Sequence, residues 1–326
     1  MNFCPGCLKE AHETYCSPCR KILFNGKKVS HILPFSRPEF DIVKINNSEH
    51  LSISGIQVKH SLYLDGNILK LNERNGEFIL KPIPHGSFQN LTAVPSNEHL
   101  SMQIASQVFK INTAKNAIIF FSDGEMAYIT KRFDVLEDGK RVLQEDFAQI
   151  MQRTEISHGR NYKYNASYED IAKKLKEHVA AYAIEIEKYY KLLLYNYLIS
   201  NGDAHLKNFS LYRNENFGDY ILTPAYDIIN TSLHVPGERD LALDLFSNGY
   251  TTEAFQYGNK YTRPDFFEFA VRIFSSINYR RVDRFLKEII SNKERIIEMV
   301  NRSYLPLDLI EKYIESINMK RDRLKY

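Results

Sequence analysis

Ile199-Ser200-Asn201-Gly202-Asp203-Ala204-His205-Leu206-Lys207-Asn208-Phe209-Ser210 places a carboxylate, an imidazole, an ammonium and an amide on one loop. A long stretch of helical periodicity precedes it and a short apolar segment follows. Loops held between two regular elements carry function more often than core positions do. Asp203 and Asn208 are separated by four residues. That is the spacing of a phosphoryl-transfer loop, in which the Asp takes the acceptor hydroxyl proton and the Asn holds a metal ion. Alone the spacing is a weak signal, so the remaining parts of a nucleotide site must be sought at set places along the chain.

Upstream of the loop, Val179, Ala183, Ile186, Tyr190, Leu193 and Tyr197 recur at helical spacing and predict one long buried helix, its tyrosines in the core. Residues 145–153 and 168–175 read as shorter helices. Earlier still the pattern is strand-like. Residues 60–64 and 67–71 flank Asp65-Gly66, and residues 77–81 follow Asn75-Gly76, which predicts an antiparallel meander. Residues 95–109, with Leu100, Ile104 and Val108 in register, predict a helix. Residues 117–121 and 126–133 flank Asp123-Gly124 and predict another hairpin. Beyond the loop, residues 209–212 and 220–222 read as a small hairpin. From Pro264 onward three amphipathic helices are expected, ending in a solvated Lys/Arg-rich tail. Residues 20–40, with Pro34 and Pro38, read as a turn-rich linker.

Composition sets bounds on these readings. The chain of 326 residues is 44% hydrophobic and 25% charged, the profile of a globular protein with a sizeable core. A net charge of +3 is too small to argue for a nucleic-acid or membrane partner. Met1-Asn2-Phe3-Cys4-Pro5 has no charged-then-apolar leader, and no apolar run approaches the roughly 18 residues of a membrane span. A cytoplasmic location is therefore expected. All four cysteines fall in two C-x2-C pairs, Cys4/Cys7 and Cys16/Cys19. Two such turns facing each other make a tetrahedral thiolate site, so structural zinc is expected. Disulfides do not suit a leaderless chain, and His12, between the pairs, reads as a solvated loop residue. A segment this short cannot bury its own core, and the metal substitutes for one.

Strands first, helices afterwards and the Asp203 loop among them form the plan of a kinase. Lys81, in Phe78-Ile79-Leu80-Lys81-Pro82, stands at the end of a strand and could meet ATP phosphates, with Glu98 of the next helix placed to pair with it. Asp227, in Leu222-Thr223-Pro224-Ala225-Tyr226-Asp227-Ile228, lies where a second Mg2+ ligand belongs. The expected fold is α+β, a bilobal protein-kinase-like fold with a β-rich N-lobe, a helical C-lobe and a small N-terminal zinc ribbon or knuckle. The expected divisions are residues 1–25 for the four-Cys segment, 26–134 for the N-lobe and 135–326 for the C-lobe.

At this point the residues carry a resemblance. Ser52-Ile53-Ser54-Gly55-Ile56-Gln57-Val58-Lys59, Lys81, Lys131-Arg132-Phe133-Asp134, Gln144-Glu145-Asp146-Phe147, the Asn201–Ser210 loop and Thr223-Pro224-Ala225-Tyr226-Asp227 resemble HipA-type serine/threonine kinases, toxins of bacterial toxin-antitoxin modules. The likeness runs from about residue 48 to the end. It implies Asp203 as catalytic base, Asn208 and Asp227 as Mg2+ ligands, and Lys81 and Lys59 on the phosphates beneath a loop containing Ser54 and Gly55. It also implies adenine on the backbone of Lys131 and Phe133, and ribose among Gln144, His205 and Tyr226.

In that family a serine of the Ser-Ile-Ser-Gly loop is autophosphorylated, here Ser52 or Ser54. A phosphoserine adds about 1.5 to 2 negative charges where ATP phosphates sit and would switch the enzyme off. Full-length members carry an extra N-terminal subdomain of roughly a hundred residues. This chain has about 50 residues there and resembles the short, HipT-like branch. That branch implies an HTH-type DNA-binding antitoxin, a small separate protein in place of the missing subdomain, and DNA contact only through the antitoxin. The implied substrate is a translation component, an aminoacyl-tRNA synthetase. Two alternatives stay open: a small-molecule phosphotransferase of the same superfold, whose H-G-D-x4-N resembles Asn201-Gly202-Asp203, and an inactive zinc-headed binding module.

Overall fold

Turn chemistry fixes the register of the first sheet. In the computed structural model, which describes residues 3–10, 14–46, 59–72, 76–136, 139–213, 218–274 and 279–325, β1 (His60–Asp65) and β2 (Ile68–Asn72) are joined by Gly66-Asn67. Gly66 sits at φ +59°, a conformation the tight turn requires and glycine adopts without a steric penalty. With β3 (Phe78–Pro82), β4 (Asn116–Phe120) and β5 (Met126–Lys131) they form an antiparallel sheet in the order β2-β1-β3-β5-β4.

Among the described residues two helices, α1 (Ser17–Phe24) and α2 (Arg37–Asn46), precede the sheet. Within the expected turn-rich linker over residues 20–40, residues 20–24 and 37–40 are therefore helical, while residues 25–36 are not. Pro38 explains the misreading: it lies in the first turn of α2, where no N–H is needed and the fixed φ suits helix entry. The N-terminal segment closes the open edge of β4. The Ile118 N–H donates to the Pro5 carbonyl at 2.9 Å, the Phe120 N–H to His31 at 2.8 Å, and the Leu33 N–H to Phe120 at 2.7 Å. The Tyr15 hydroxyl donates to Ile118 at 2.7 Å. Cys4, Tyr15, Cys19 and Phe24 share one apolar cluster with Leu62, Phe78 and Leu80 of the sheet.

The helix α3 (Val94–Gln107) lies under β4 and β5 and is buried from Val94 to Ala105. A helix this polar ordinarily keeps a face in water. Here its polar side chains find partners inside. Asn97 donates to the Asn230 carbonyl at 2.8 Å and accepts the Asn230 N–H at 3.1 Å. Ser101 meets the Tyr313 hydroxyl at 2.9 Å, and Gln103 donates to Asn116 at 3.0 Å. One helix thereby ties both lobes together.

The second lobe is built on α7 (Tyr182–Leu198), reached through α4 (Phe147–Ile150), α5 (Glu155–His158) and α6 (Tyr168–His178). Its buried tyrosines donate to backbone carbonyls, Tyr189 to Tyr168 at 2.8 Å, Tyr190 to Phe266 at 3.0 Å and Tyr195 to Ser101 at 2.6 Å. Each ring therefore fills the core while its hydroxyl stays satisfied. Residues 145 and 146, expected to open a helix, instead belong to β6 (Gln144–Asp146). It pairs with β7 (Ser210–Arg213), which also pairs with β8 (Tyr220–Leu222). Helix α4 starts only after Asp146, whose carboxylate accepts the Gln149 N–H at 2.9 Å while Gln149 returns to the Asp146 N–H.

After α8 (Glu253–Gly258), the expected three closing helices are four among the described residues: α9 (Arg263–Ile273), α10 (Tyr279–Ser291), α11 (Lys293–Asn301) and α12 (Leu307–Arg323). Asn292, at φ −90° and ψ 20°, breaks the continuous helical pattern between α10 and α11. The basic tail is not all solvated either. Lys320 is buried against Asp240, which also holds Arg323 at 2.8 Å.

Leu193 is fully buried in α7, and Leu193→Ala is expected to remove about 2–5 kcal/mol of stability. A fall in the urea midpoint at unchanged slope checks this; an unmoved midpoint would show that α7 is not a core helix.

Candidate active site

Three segments meet at one buried ammonium. Lys81 reaches the core from β3, where it lies opposite Tyr128 of β5 with its Nζ 5.2 Å from that ring's centroid. It pairs with Glu98 of α3 and with Asp227, each at short hydrogen-bond range. Lys59 holds the other Asp227 oxygen at 2.8 Å. Lys81 and Glu98 are almost wholly buried, while the Asp227 side chain keeps 26% of its exposure. Asp227 itself has φ +54°. A non-glycine residue rarely adopts this region, Asp more readily than most.

Burial and charge compete at each member. Burial alone would lower the Lys81 pKa, but Asp227 and Glu98 outweigh it and hold the ammonium above the ordinary lysine range. Burial would raise Asp227, yet Lys59 and Lys81 hold it well below the usual carboxylate range. At Glu98 burial prevails and pushes the carboxyl up, with the Lys81 charge opposing. A charge out of water persists only when paired.

The Asn201–Asn208 loop is fixed by hydrogen bonds of its own. Asn201 donates to Asn196 at 2.7 Å, the Gly202 N–H donates to Thr231 at 2.8 Å, and the Tyr168 hydroxyl donates to Ala204 at 2.8 Å. The Asn208 side chain accepts the His205 N–H at 3.1 Å. Asp203 is left half-exposed at 49%, with one oxygen accepting the Tyr164 hydroxyl at 2.5 Å and 3.8 Å from His205 Nε2. Burial pulls the His205 pKa down to about 4, against the pull of Asp203, so the ring is neutral at physiological pH. A Cβ at Gly202 would come within 2.5 Å of the Glu238 side chain, which would have to move to admit it. The Glu238 carboxyl is pushed up to about 7, by burial first and by the Asp203 charge in addition.

The other expected residues lie on neighbouring elements. Phe133 packs 5.7 Å from Tyr226, whose hydroxyl contacts Ser210 and donates to the Lys207 carbonyl at 2.9 Å. Gln144 begins β6, and Lys131 ends β5 with its N–H given to Lys115 at 2.7 Å. Ser52, Ser54 and Gly55 lie outside the described residues, as does His12. The four cysteines converge, their sulfurs all within 4.8 Å of one another. Tyr164 and Glu238 escaped sequence reasoning. Tyr164 ends a single turn of 3-10 helix (Tyr162–Tyr164) and Glu238 follows Pro236-Gly237, so neither lies in a periodic pattern or a motif.

A strand-rich lobe over a helical one, with Lys81, Glu98 and Asp227 joined beside the Asp203 loop, defines a protein-kinase-like fold. The sequence pattern of the HipA-like C-terminal domain matches residues 51–298, and the chain belongs to that family. A Haemophilus influenzae protein, provisionally named as a kinase, is 30% identical over 325 residues, covering 94% of this chain and 92% of its own. A Sinorhizobium fredii protein, provisionally named kinase Y4dM, is 28% identical over 215 residues, covering 61% of this chain and 49% of its own. Among solved structures, Shewanella oneidensis HipA, in complex with HipB and its operator DNA, matches with a TM-score of 0.65 at 18% identity, over 90% of this chain and 73% of that one. The Helicobacter pylori proinflammatory kinase CtkA matches with a TM-score of 0.51 at 12% identity, over 81% and 93%. No helix among the described residues is long and apolar enough to cross a membrane.

Replacing Lys81 with Met leaves Glu98 buried without its cation, an imbalance expected to cost about 3–5 kcal/mol. Glu98 would then have a folded pKa raised further above its unfolded value, so stability should fall as pH rises. The melting temperature of Lys81→Met is expected to drop between roughly pH 5 and roughly pH 8. In the unsubstituted protein, Asp227 with its depressed pKa contributes stability at neutral pH that is lost only on acidification. A variant profile parallel to that of the unsubstituted protein would refute this account of the cluster.

Proposed function

We propose that the protein is an ATP-dependent serine/threonine protein kinase of the HipT-like kind. The observation that carries this reading is the Asp227 carboxylate shared by Lys59 and Lys81, with Lys81 anchored on Glu98. Asp227 and Glu98 balance the two ammoniums, and both lysines carry N–H donors of the kind that meet phosphate oxygens. Asp227 and Asn208 would hold Mg2+; both offer hard oxygen donors, and the Asn208 amide oxygen keeps a second lone pair beyond its bond to His205. When bound, the metal offsets charge on the transferring phosphoryl group.

The chain's own residues divide the remaining work. Lys81 and Lys59 turn toward the phosphates. Phe133, Gln144, His205 and Tyr226 line the nucleoside side, with the Lys131–Phe133 backbone at the adenine. Asp203, half-exposed, orients the acceptor hydroxyl and takes its proton, the hydroxyl replacing Tyr164 as hydrogen-bond partner. Positioning supplies most of the rate in such transfers, because the phosphoryl group needs little covalent help.

The proposed acceptor is a protein of translation, an aminoacyl-tRNA synthetase, whose modification arrests growth, with autophosphorylation on Ser52 or Ser54 as the off-switch. The HipA neighbour was solved with HipB and operator DNA, which supports an HTH-type antitoxin as partner here. A small separate protein would stand in for the N-terminal subdomain, and DNA would be reached only through the antitoxin.

Intact-mass spectrometry before and after ATP with Mg2+, with peptide mapping, tests this. Unmodified protein should gain one phosphoryl group on Ser52 or Ser54. Asp203→Asn should slow the gain by about 10²- to 10⁴-fold and Asp227→Asn should abolish it. Full activity in either folded variant, or no gain in the unsubstituted protein, would overturn the assignment.

A further inference from the structure

The carbonyls of Pro5, Gly6 and Cys7, three consecutive residues of the first C-x2-C turn, all accept hydrogen bonds from the N-lobe. Pro5 takes the Ile118 N–H of β4 at 2.9 Å. Gly6 takes the Nε2–H of His99 at 3.3 Å, and Cys7 takes the side-chain amide of Gln107 at 2.8 Å. His99 and Gln107 lie on α3, and His99 directly follows Glu98. The turn thus grips the helix beside the residue that anchors Lys81 and again at its C-terminal end.

What shapes the turn is the sulfur cluster. Cys7 and Cys16 sulfurs are 3.7 Å apart, which matches the edge of about 3.8 Å that a tetrahedron with Zn–S bonds of about 2.3 Å requires. The Cys16 N–H donates to the Cys4 sulfur at 3.2 Å, the kind of outer hydrogen bond that orients a thiolate ligand. Gly6 packs so closely that a Cβ would lie 2.7 Å from the Cys19 sulfur.

We propose that the four cysteines bind one zinc ion and that the metal-shaped turn acts as a brace for α3, holding Glu98 on Lys81. His99 and Gln107 are positioning residues in this device. Removing the metal frees the turn, its three carbonyls lose their places, and α3 loses two of its tethers. The link to nucleotide binding rests on the kinase reading, whereas the brace itself does not.

The experiment uses the whole chain in three forms, zinc-loaded, stripped by chelator under reducing conditions, and reloaded, together with the zinc-loaded variants His99→Leu and Gln107→Leu. Zinc content by elemental mass spectrometry should be about one per chain in all but the stripped form. Hydrogen exchange over residues 94–107 should quicken several-fold on stripping and in each variant, and recover on reloading. Affinity for a fluorescent ATP analogue should weaken at least threefold in parallel, and in Gln107→Leu, whose side chain is only part-buried, it should do so with the melting temperature little changed. Zinc-free protein as purified, or variants with helix exchange like that of the zinc-loaded form, would overturn the proposal. If zinc-loaded protein binds no nucleotide while exchange responds as expected, the kinase reading fails and the brace stands.

Discussion

Lys81 is a cation with almost no contact with water, and the protein must answer for it. An ammonium in the core is tolerated only with carboxylates at hydrogen-bond range, here Glu98, 17 residues away in sequence, and Asp227, 146 residues away. Strand β3, helix α3 and the segment after β8 therefore cannot move independently. Their relative placement is set by one charge balance, and the two lobes meet across it.

Helix α3 carries that constraint outward. A buried helix with Asn97, Glu98, His99, Ser101 and Gln103 on it would be unstable if those groups were left unpaired. Each reaches a different element: Asn97 the segment after Asp227, Glu98 strand β3, His99 the cysteine turn, Ser101 helix α12 and Gln103 strand β4. Polar pairing is directional in a way apolar packing is not, so the helix is pinned in rotation and along its axis.

Much of the local structure could be read from contiguous residues. Asp65-Gly66 and Asp123-Gly124 place hairpins because only certain residues fit their turns, and the spacing from Val179 to Tyr197 predicts α7 because apolar period reports helical phase. The failures have equally local causes. Pro38 reads as part of a linker but sits in the first turn of α2. Gln144–Asp146 has no intrinsic strand signal and becomes one by pairing with β7. Lys320 reads as a solvated tail residue, yet Asp240 lies 80 residues away to receive it.

The sequence by itself determined the family, the Asp203–Asn208 spacing, the two C-x2-C pairs and most element types, since these depend on neighbours along the chain. Only the tertiary structure decided that α3 is buried on every side, that Lys59 and Lys81 share Asp227, that Tyr164 occupies Asp203, and that the cysteine turns close the edge of β4. Each of these is a contact between distant residues whose stability comes from burial and long-range pairing, and neither periodicity nor turn preference carries information about such partners.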